Sequence, residues 1–224
     1  MQKIFLNFLI SGLLLTSIFS CSSNQANQAT HSALSTNNQP TETTVIKIND
    51  RTDKIKFKTE GGSDLFSLKQ LPDGAKLVNA NEQEIARIKT DEAGKIKIKN
   101  IQDKVLGYVL TSQGYWTIEN PDKQSVYILK RNSDSNYQLE DVNKKKIYQI
   151  KTNKTGLEIS TPDQKLVYQV RIKEGKISLR NTSGNTVFST KSNISPLAFT
   201  CFGLDALTRE QQAALAYAVN LTGG

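Results

Sequence analysis

The sequence predicts a mainly β chain, closed into a barrel of about twelve antiparallel strands around a hydrophobic C-terminal helix. Three observations carry this. A pattern of 20 or 21 residues is written six times between about residues 75 and 190. Within each copy apolar and polar residues alternate, the period-two signature of a strand with one buried face. The stretch Pro196 to Leu207 is apolar nearly all round, and a helix of that kind has to be enclosed. Hairpins with one apolar face are unstable singly, so the six copies must bury those faces together. A β-propeller or a β-solenoid-like repeat is the alternative, and the terminal helix favours the barrel because a wide barrel needs a plug.

The chain begins with an address. Met1-Gln-Lys supplies one positive charge, and Ile4 to Phe19 is uncharged and largely apolar. Ser20 then precedes Cys21, so residues 1–20 have the anatomy of a secretory signal peptide. This segment resembles a bacterial lipoprotein signal, whose lipobox ends in a small residue followed by a cysteine. Ile18 and Phe19 stand where Leu and a small residue are commoner. The resemblance, confined to residues 1–21, implies cleavage before Cys21, a diacylglyceryl thioether on its sulfur and acylation of the new amino group. Residues 22–44 are rich in Ser, Asn, Gln and Thr, and read as a flexible polar tether that carries the single histidine, His31. Val45 to Leu71 is less regular strand material, expected to cover one opening or complete the sheet.

The repeat is fixed by six anchors: Asn79, Asn100, Asn120, Asp141, Thr161 and Asn181. Apolar residues stand two and four positions before each anchor, for example Ile96 and Ile98, or Leu157 and Ile159. Another stands six positions after, such as Val126, Ile147 and Val167, with a further one three residues on in five copies. Turn-prone stretches such as Pro121-Asp-Lys and Thr182-Ser-Gly-Asn separate the halves, so each copy is a β-hairpin. The step of three is odd for a strand and predicts a bulge or a change of face. Counted from the inward residue before them, Tyr127, Tyr148 and Tyr168 face outward, with Phe188 continuing the stripe. These four are the candidate surface contact for a lipid, glycan or protein.

At the end of the chain, Ser195 is a good N-cap and Pro196 suits the first helical position, giving a helix over 196–207. Thr208 with Gln211 has the spacing of a capping box and opens a second helix over 209–221. Strand hairpins ended by a hydrophobic helix resemble the tubby C-terminal-like group, which includes the LURP-one-related proteins. The resemblance spans about residues 45–224 and rests on architecture. It implies a closed barrel threaded by the terminal helix. The second helix is a departure from that plan, expected to pack at the barrel mouth.

Residues 45–224 are thus one domain. The net charge of +8 is scattered over strands, where lysines solvate a face and guard edges. No motif of a nucleic-acid binder accompanies it. One histidine in a tether and two separated cysteines make neither a metal site nor a nucleophile–base pair. Glu119 and Asp122 flank a turn and read as solvated. We expect no catalytic residue, metal or cofactor. The functional expectation is a monomeric, non-enzymatic lipoprotein of the cell envelope, anchored to a bacterial membrane through Cys21 and facing the periplasm or the outside. It would act as a binding or scaffolding module with a protein or lipid partner and no nucleic acid. The alternative is a carrier or sensor of a hydrophobic ligand such as a lipid.

Overall fold

The chain divides into two units, Met1–Lys47 and Ile48–Gly224. The computed structural model describes residues 54–132 and 136–223, all in the second unit. The expected signal, Cys21, the tether with His31 and the stretch 45–53 lie outside the described residues.

The first hairpin is β1 (Lys54–Lys58) with β2 (Asp64–Leu71), and the second is β3 (Gly74–Asn79) with β4 (Glu84–Thr90). The third and fourth are β5 (Ile96–Asn100) with β6 (Val105–Ser112), and β7 (Tyr115–Glu119) with β8 (Ser125–Arg131). The fifth and sixth are β9 (Tyr137–Asp141) with β10 (Lys146–Asn153), and β11 (Gly156–Ser160) with β12 (Leu166–Lys173). The seventh is β13 (Lys176–Arg180) with β14 (Thr186–Thr190). Each strand pairs antiparallel with its chain neighbours and β14 returns to β1, so the sheet is a closed barrel and neither a propeller nor a solenoid. There are fourteen strands rather than the expected twelve. The repeat has a seventh copy at its start: Ile55, Phe57, Thr59, Leu65 and Leu68 obey the same offsets as the rest.

The anchors close three-residue hairpin loops. Asn79 N–H donates to the Gln83 carbonyl at 2.9 Å, and Glu82 N–H donates to the Asn79 carbonyl at 3.1 Å. The same pair of bonds recurs at the other anchors. The third residue after each anchor is left-handed, from Gly62 (φ 86°) through Glu82 (φ 63°) and Lys144 (φ 62°) to Gly184 (φ 82°). That is a type I turn ended by a left-handed bulge residue. Asn and Asp suit the anchor because the side chain holds the loop: Asn79 Oδ1 accepts from the N–H groups of Asn81 and Gln83, both at 2.9 Å.

Past each loop, the second strand of the hairpin carries the expected bulge. Ile118 faces Tyr127 and Glu119 faces Ser125, which bypasses Val126. Ile147, Val167 and Val187 are bypassed in the same way, as are the equivalent residues of the first three copies.

Both C-terminal helices lie inside this wall. α1 (Pro196–Thr200) continues into a single 3-10 turn, Cys201–Gly203, and α2 (Arg209–Thr222) runs back beside it. Ser195 Oγ accepts from Ala198 N–H at 3.1 Å, and the Thr208–Gln211 capping box forms in both directions. The first helix stops at Gly203, short of the expected Leu207. A Cβ at Gly203 would lie 2.8 Å from Ile159 Cδ1 and 3.0 Å from Leu179 Cδ1, so the wall itself crowds the chain there. The second helix is not at the mouth. It packs along β3 to β7, while α1 packs on β11 to β13. A barrel of eight strands is filled by its own side chains, and one of fourteen is wider. Two helices fill the difference, and they fit side by side because their buried faces are built on Ala198, Gly203, Ala213, Ala214, Ala216 and Ala218. Fourteen strands and a threaded helix pair replace the twelve strands and single threaded helix of the expected plan.

The seam between β1 and β14 has one register pair, Lys58 with Ser189. Ser192 reinforces it, accepting from Lys56 N–H at 3.2 Å. Behind the seam sits an aromatic cluster. Phe57 of β1 has its ring centroid 4.4 Å from Phe66, 4.6 Å from Phe202, 5.8 Å from Phe188 and 5.9 Å from Phe199. The cluster therefore joins β1, β2, β14 and the first helix where backbone pairing is thinnest.

Two outcomes are expected. Phe57→Ala lowers the unfolding free energy by ~3–5 kcal/mol, as for other buried Phe truncations. Urea unfolding followed through Trp116, the only tryptophan, measures this, since its Nε1 donates to Thr222 Oγ1 of α2 at 3.1 Å. A loss below ~1 kcal/mol would show that the cluster does not hold the seam. The second concerns Glu82, which accepts from Lys54 and Lys69 and is thereby lowered from 4.5 to about 2. A depressed carboxylate stabilises the fold above its unfolded pKa, and that contribution disappears as pH falls from 4.5 to about 2. Glu82→Gln should flatten the acid limb of the stability–pH curve in that window, by a small amount because the cluster is exposed. An acid limb of unchanged steepness would exclude this role.

Candidate functional site

The four residues expected to form an outer aromatic stripe point the other way. Counting resumes after the bulge, so Tyr127 shares a face with inward Leu129, Tyr148 with Ile150, Tyr168 with Val170, and Phe188 with Thr190. Phe188 is 2 % exposed and offers no surface contact. The three tyrosines are half-buried and pack against the core. They line one mouth of the barrel beside the turn between the helices. Tyr168 lies near the Asp205 carboxylate, and burial followed by Asp205 pushes the phenols of Tyr148 and Tyr168 above their ordinary value. Arg209 covers the rings of Phe66 and Phe188 at 4.8 and 6.0 Å. This ring of groups fixes the helix turn to the wall. Glu119, read as a solvated turn residue, is instead largely buried in an ion pair with Lys95 at 2.9 Å.

The outer wall divides by charge. Around β2 to β9, cations sit against acids: Lys89 with Asp73 at 2.9 Å, Lys76 and Arg87 with Glu84 at 3.0 and 2.8 Å, and Lys130 with Glu140 at 2.7 Å. Residues 146–191 contain nine basic and three acidic residues, so six of the eight surplus charges arise there. Lys and Arg are not evenly scattered. Among the described residues Arg171, Lys176, Arg180 and Lys191 have no carboxylate within ion-pair distance, and Lys173 has only its exposed neighbour Glu174, at 3.6 Å.

These five cations line one groove of about 480 Å³ on the outer face of β12 and β13. The sheet register orders them in rungs: Lys173 opposite Lys176, Arg171 opposite Ser178, and Gln169 opposite Arg180. Alternate residues of both strands, such as Val170 and Leu179, face the core, so these side chains face out. Ser178 lies between these side chains, and Ser189, facing it across β13 and β14, lines the adjoining cleft; they are 6 and 5 % exposed. Lys191 flanks the first rung, and the groove continues over the seam as a cleft of about 410 Å³ reaching Lys56 and Lys58. Those two lysines are drawn to Asp64 at 3.6 and 3.1 Å, and with them beside it the Asp64 carboxyl lies below its ordinary value. Arg180 donates through Nη1 to the Gly184 carbonyl at 3.3 Å, while its Nε is buried with no hydrogen-bond partner. The groove can do electrostatic recognition: five cations and the Ser178 hydroxyl surround it, with Glu174 the one carboxylate among its described lining residues.

A second depression, of about 520 Å³, opens at the barrel end where α1 begins, between Tyr137, Leu157, Ile172, Pro196 and Leu197. It is mainly apolar and carries Lys154 on its rim. The lumen proper is occupied by the helices, whose residues Ala213 to Val219 are no more than 8 % exposed. Sequence reasoning missed the groove. Its signal was the charge imbalance after residue 146, visible by counting, whereas the ion pairing that engages many cations elsewhere on the wall is visible only in the fold.

No family model matches the chain, and a search of curated proteins finds no match. Among solved structures, the X-ray structure of a protein from Arabidopsis thaliana is similar over 69 % of this chain and 90 % of its own, with 10 % identity and a TM-score of 0.38. A similarity of that size carries no functional argument, and the barrel stands on its own strand pairing.

Cys201, the second of the chain's two cysteines, has Sγ 3.4 Å from the Leu197 carbonyl and is fully enclosed. Burial pushes its thiol far above the ordinary value, so it is not a nucleophile. A thiol reagent should leave Cys201 unlabelled in the native protein and label it at the rate of unfolding. Rapid native labelling, read by intact mass, would mean that the helix pair leaves the lumen.

Proposed function

We propose that this chain is a lipid-anchored protein of the bacterial envelope that works by binding and not by catalysis, and that the basic groove is its contact surface. The observation that supports the reading is the gathering of four unpaired cations, Arg171, Lys176, Arg180 and Lys191, around one groove, whereas many cations of β1 to β8 are set against acids. A solvated sheet face gains from interspersed charges of both signs; a run of one sign on a concave surface raises the local concentration of anions. The anchor rests on the lipobox at residues 1–21 and on Cys21.

The decisive comparison for the groove is between two charge reversals of equal size. Arg171→Glu with Arg180→Glu should lower the salt concentration that elutes the protein from an anionic matrix, while Lys89→Glu with Lys130→Glu should change it much less. Equal shifts would mean that net charge alone acts and would sink the groove reading. For the anchor, mass spectrometry of protein taken from membranes should show a diacylated N-terminal Cys21, absent in Cys21→Ala. An unmodified soluble protein beginning near Cys21 would remove the anchor.

A carrier or sensor of a hydrophobic ligand is a second reading, supported by the apolar cleft beside Pro196 and Leu197. A stoichiometric lipid that co-purifies and survives Cys21→Ala would favour it.

A further inference from the structure

The pitch and composition of the groove point to a more definite occupant, on the reading that the groove is the contact surface. We propose that it holds a linear polyol phosphate chain, a polymer with phosphodiester links and no bases, lying along the strand direction of β12 and β13.

The argument begins with spacing. Outward residues on a strand recur every second residue, about 6.8 Å apart. The three rungs therefore place positive charge at that interval: Lys173 with Lys176, then Arg171, then Arg180. Each of the latter two has a neutral hydrogen-bonding group opposite it, Ser178 and Gln169 respectively. Two extended residues span six backbone bonds. A phosphodiester chain with three carbons between its phosphates also spans six bonds per repeat, so its charges recur at about 7 Å when extended. Such a chain matches the strand rung for rung. Phosphate is also what the donors suit, because Arg171 and Arg180 present planar forks to tetrahedral oxyanions.

Shape separates a polymer from a membrane surface. The hydroxyl of Ser178, a residue only 6 % exposed, lies low between long cationic side chains. A flat array of headgroups would meet the tips of those side chains and miss the hydroxyl, whereas a single chain reaches it. Composition separates a polyol phosphate from a single-stranded nucleic acid, whose backbone has the same six-bond repeat. Proteins that bind single strands add aromatic platforms on which bases stack. The outward residues of β12 and β13 are Leu166, Gln169, Arg171, Lys173, Lys176, Ser178 and Arg180, with no aromatic among them. Glu158, bonded to Gln169 at 3.4 Å, and Glu174 bound the groove and limit the strip to these three rungs.

The test uses the full chain in detergent and a fluorescent glycerol phosphate oligomer, with fluorescence anisotropy as the readout. The oligomer should bind at least about tenfold more tightly than free glycerol phosphate, because linked charges engage successive rungs. Arg171→Gln with Arg180→Gln should abolish most of that gain and reduce the slope of log affinity against log salt by about one per lost contact. An unchanged Trp116 emission and urea midpoint would show that this variant still folds. Three competitors decide the class: an oligothymidylate of matched length, phosphatidylglycerol vesicles, and neutral phosphatidylcholine vesicles as their control. Displacement by oligothymidylate at equal concentration, or by anionic vesicles with the oligomer no tighter than its monomer, would overturn the polyol phosphate and leave a groove for other anions. Equal binding of every anion by the native and the doubly substituted protein would overturn the groove as contact surface as well.

Discussion

A sheet of fourteen strands that closes on itself encloses more space than its inward side chains can occupy, and the remaining structure answers that constraint. The chain must carry its own filling, and the filling must be thin enough to pass twice. Hence the helix pair comes from the last thirty or so residues, is apolar along Leu197–Phe199 and Ala213–Val219, and is built on alanine and glycine where the two helices and the wall approach most closely. The turn between the helices then has to emerge at a mouth. There Asp205 and Arg209 meet the wall through Tyr168, Phe66 and Phe188, so the polar residues of the turn are held by the rings that surround it. With the bore full, chemistry that needs access to solvent is left to the mouths and the outer wall.

The second constraint is the extra residue in each hairpin. It sets the local twist, and it reverses the face of everything between itself and the loop. The sequence made this half legible. Repeat length, anchors and the step of three from Val126 to Leu129 are all visible in one dimension, and they place the hairpins and the bulge. Which residue is the extra one is not visible, because Val126 and Tyr127 are both apolar enough to face a core. Counting alternation from Val126 sent the tyrosines outward; the ladder bypasses Val126 and brings them in. The seventh copy was also within reach. Ile55, Phe57, Leu65 and Leu68 keep every offset, but Thr59 stands where five of the other six copies have Asn or Asp.

The groove was legible in another sense. Nine cations against three acids between residues 146 and 191 is a fact of the sequence, and it distinguishes the last third of the wall from the rest. What the chain in one dimension does not reveal is that Lys130 is spent on Glu140 across two strands, or Lys95 on Glu119 across twenty-four residues, while Arg171 and Arg180 have no such partners. Pairing depends on strand register. Register here depends on the bulges, so the location of free charge inherits the same uncertainty as the location of the tyrosines.

In a wall built seven times from one hairpin, inward positions are constrained by the shared filling, and the copies resemble one another there. Outward positions meet only solvent and neighbouring side chains, so they are where copies can differ without cost to packing. The first five copies use that freedom to set acids against many of their cations, as in Lys89 with Asp73 and Lys130 with Glu140, while Lys97, Lys104 and Lys123 stay outside any ion pair among the described residues. The last two do not, and they keep Ser178 as a small residue between long cationic side chains instead of another lysine–glutamate pair. Like charges held at one rung, as with Lys173 opposite Lys176, destabilise a sheet unless an anion lies between them. That local cost falls on the strands that line the groove, and it is relieved by one anionic chain lying there.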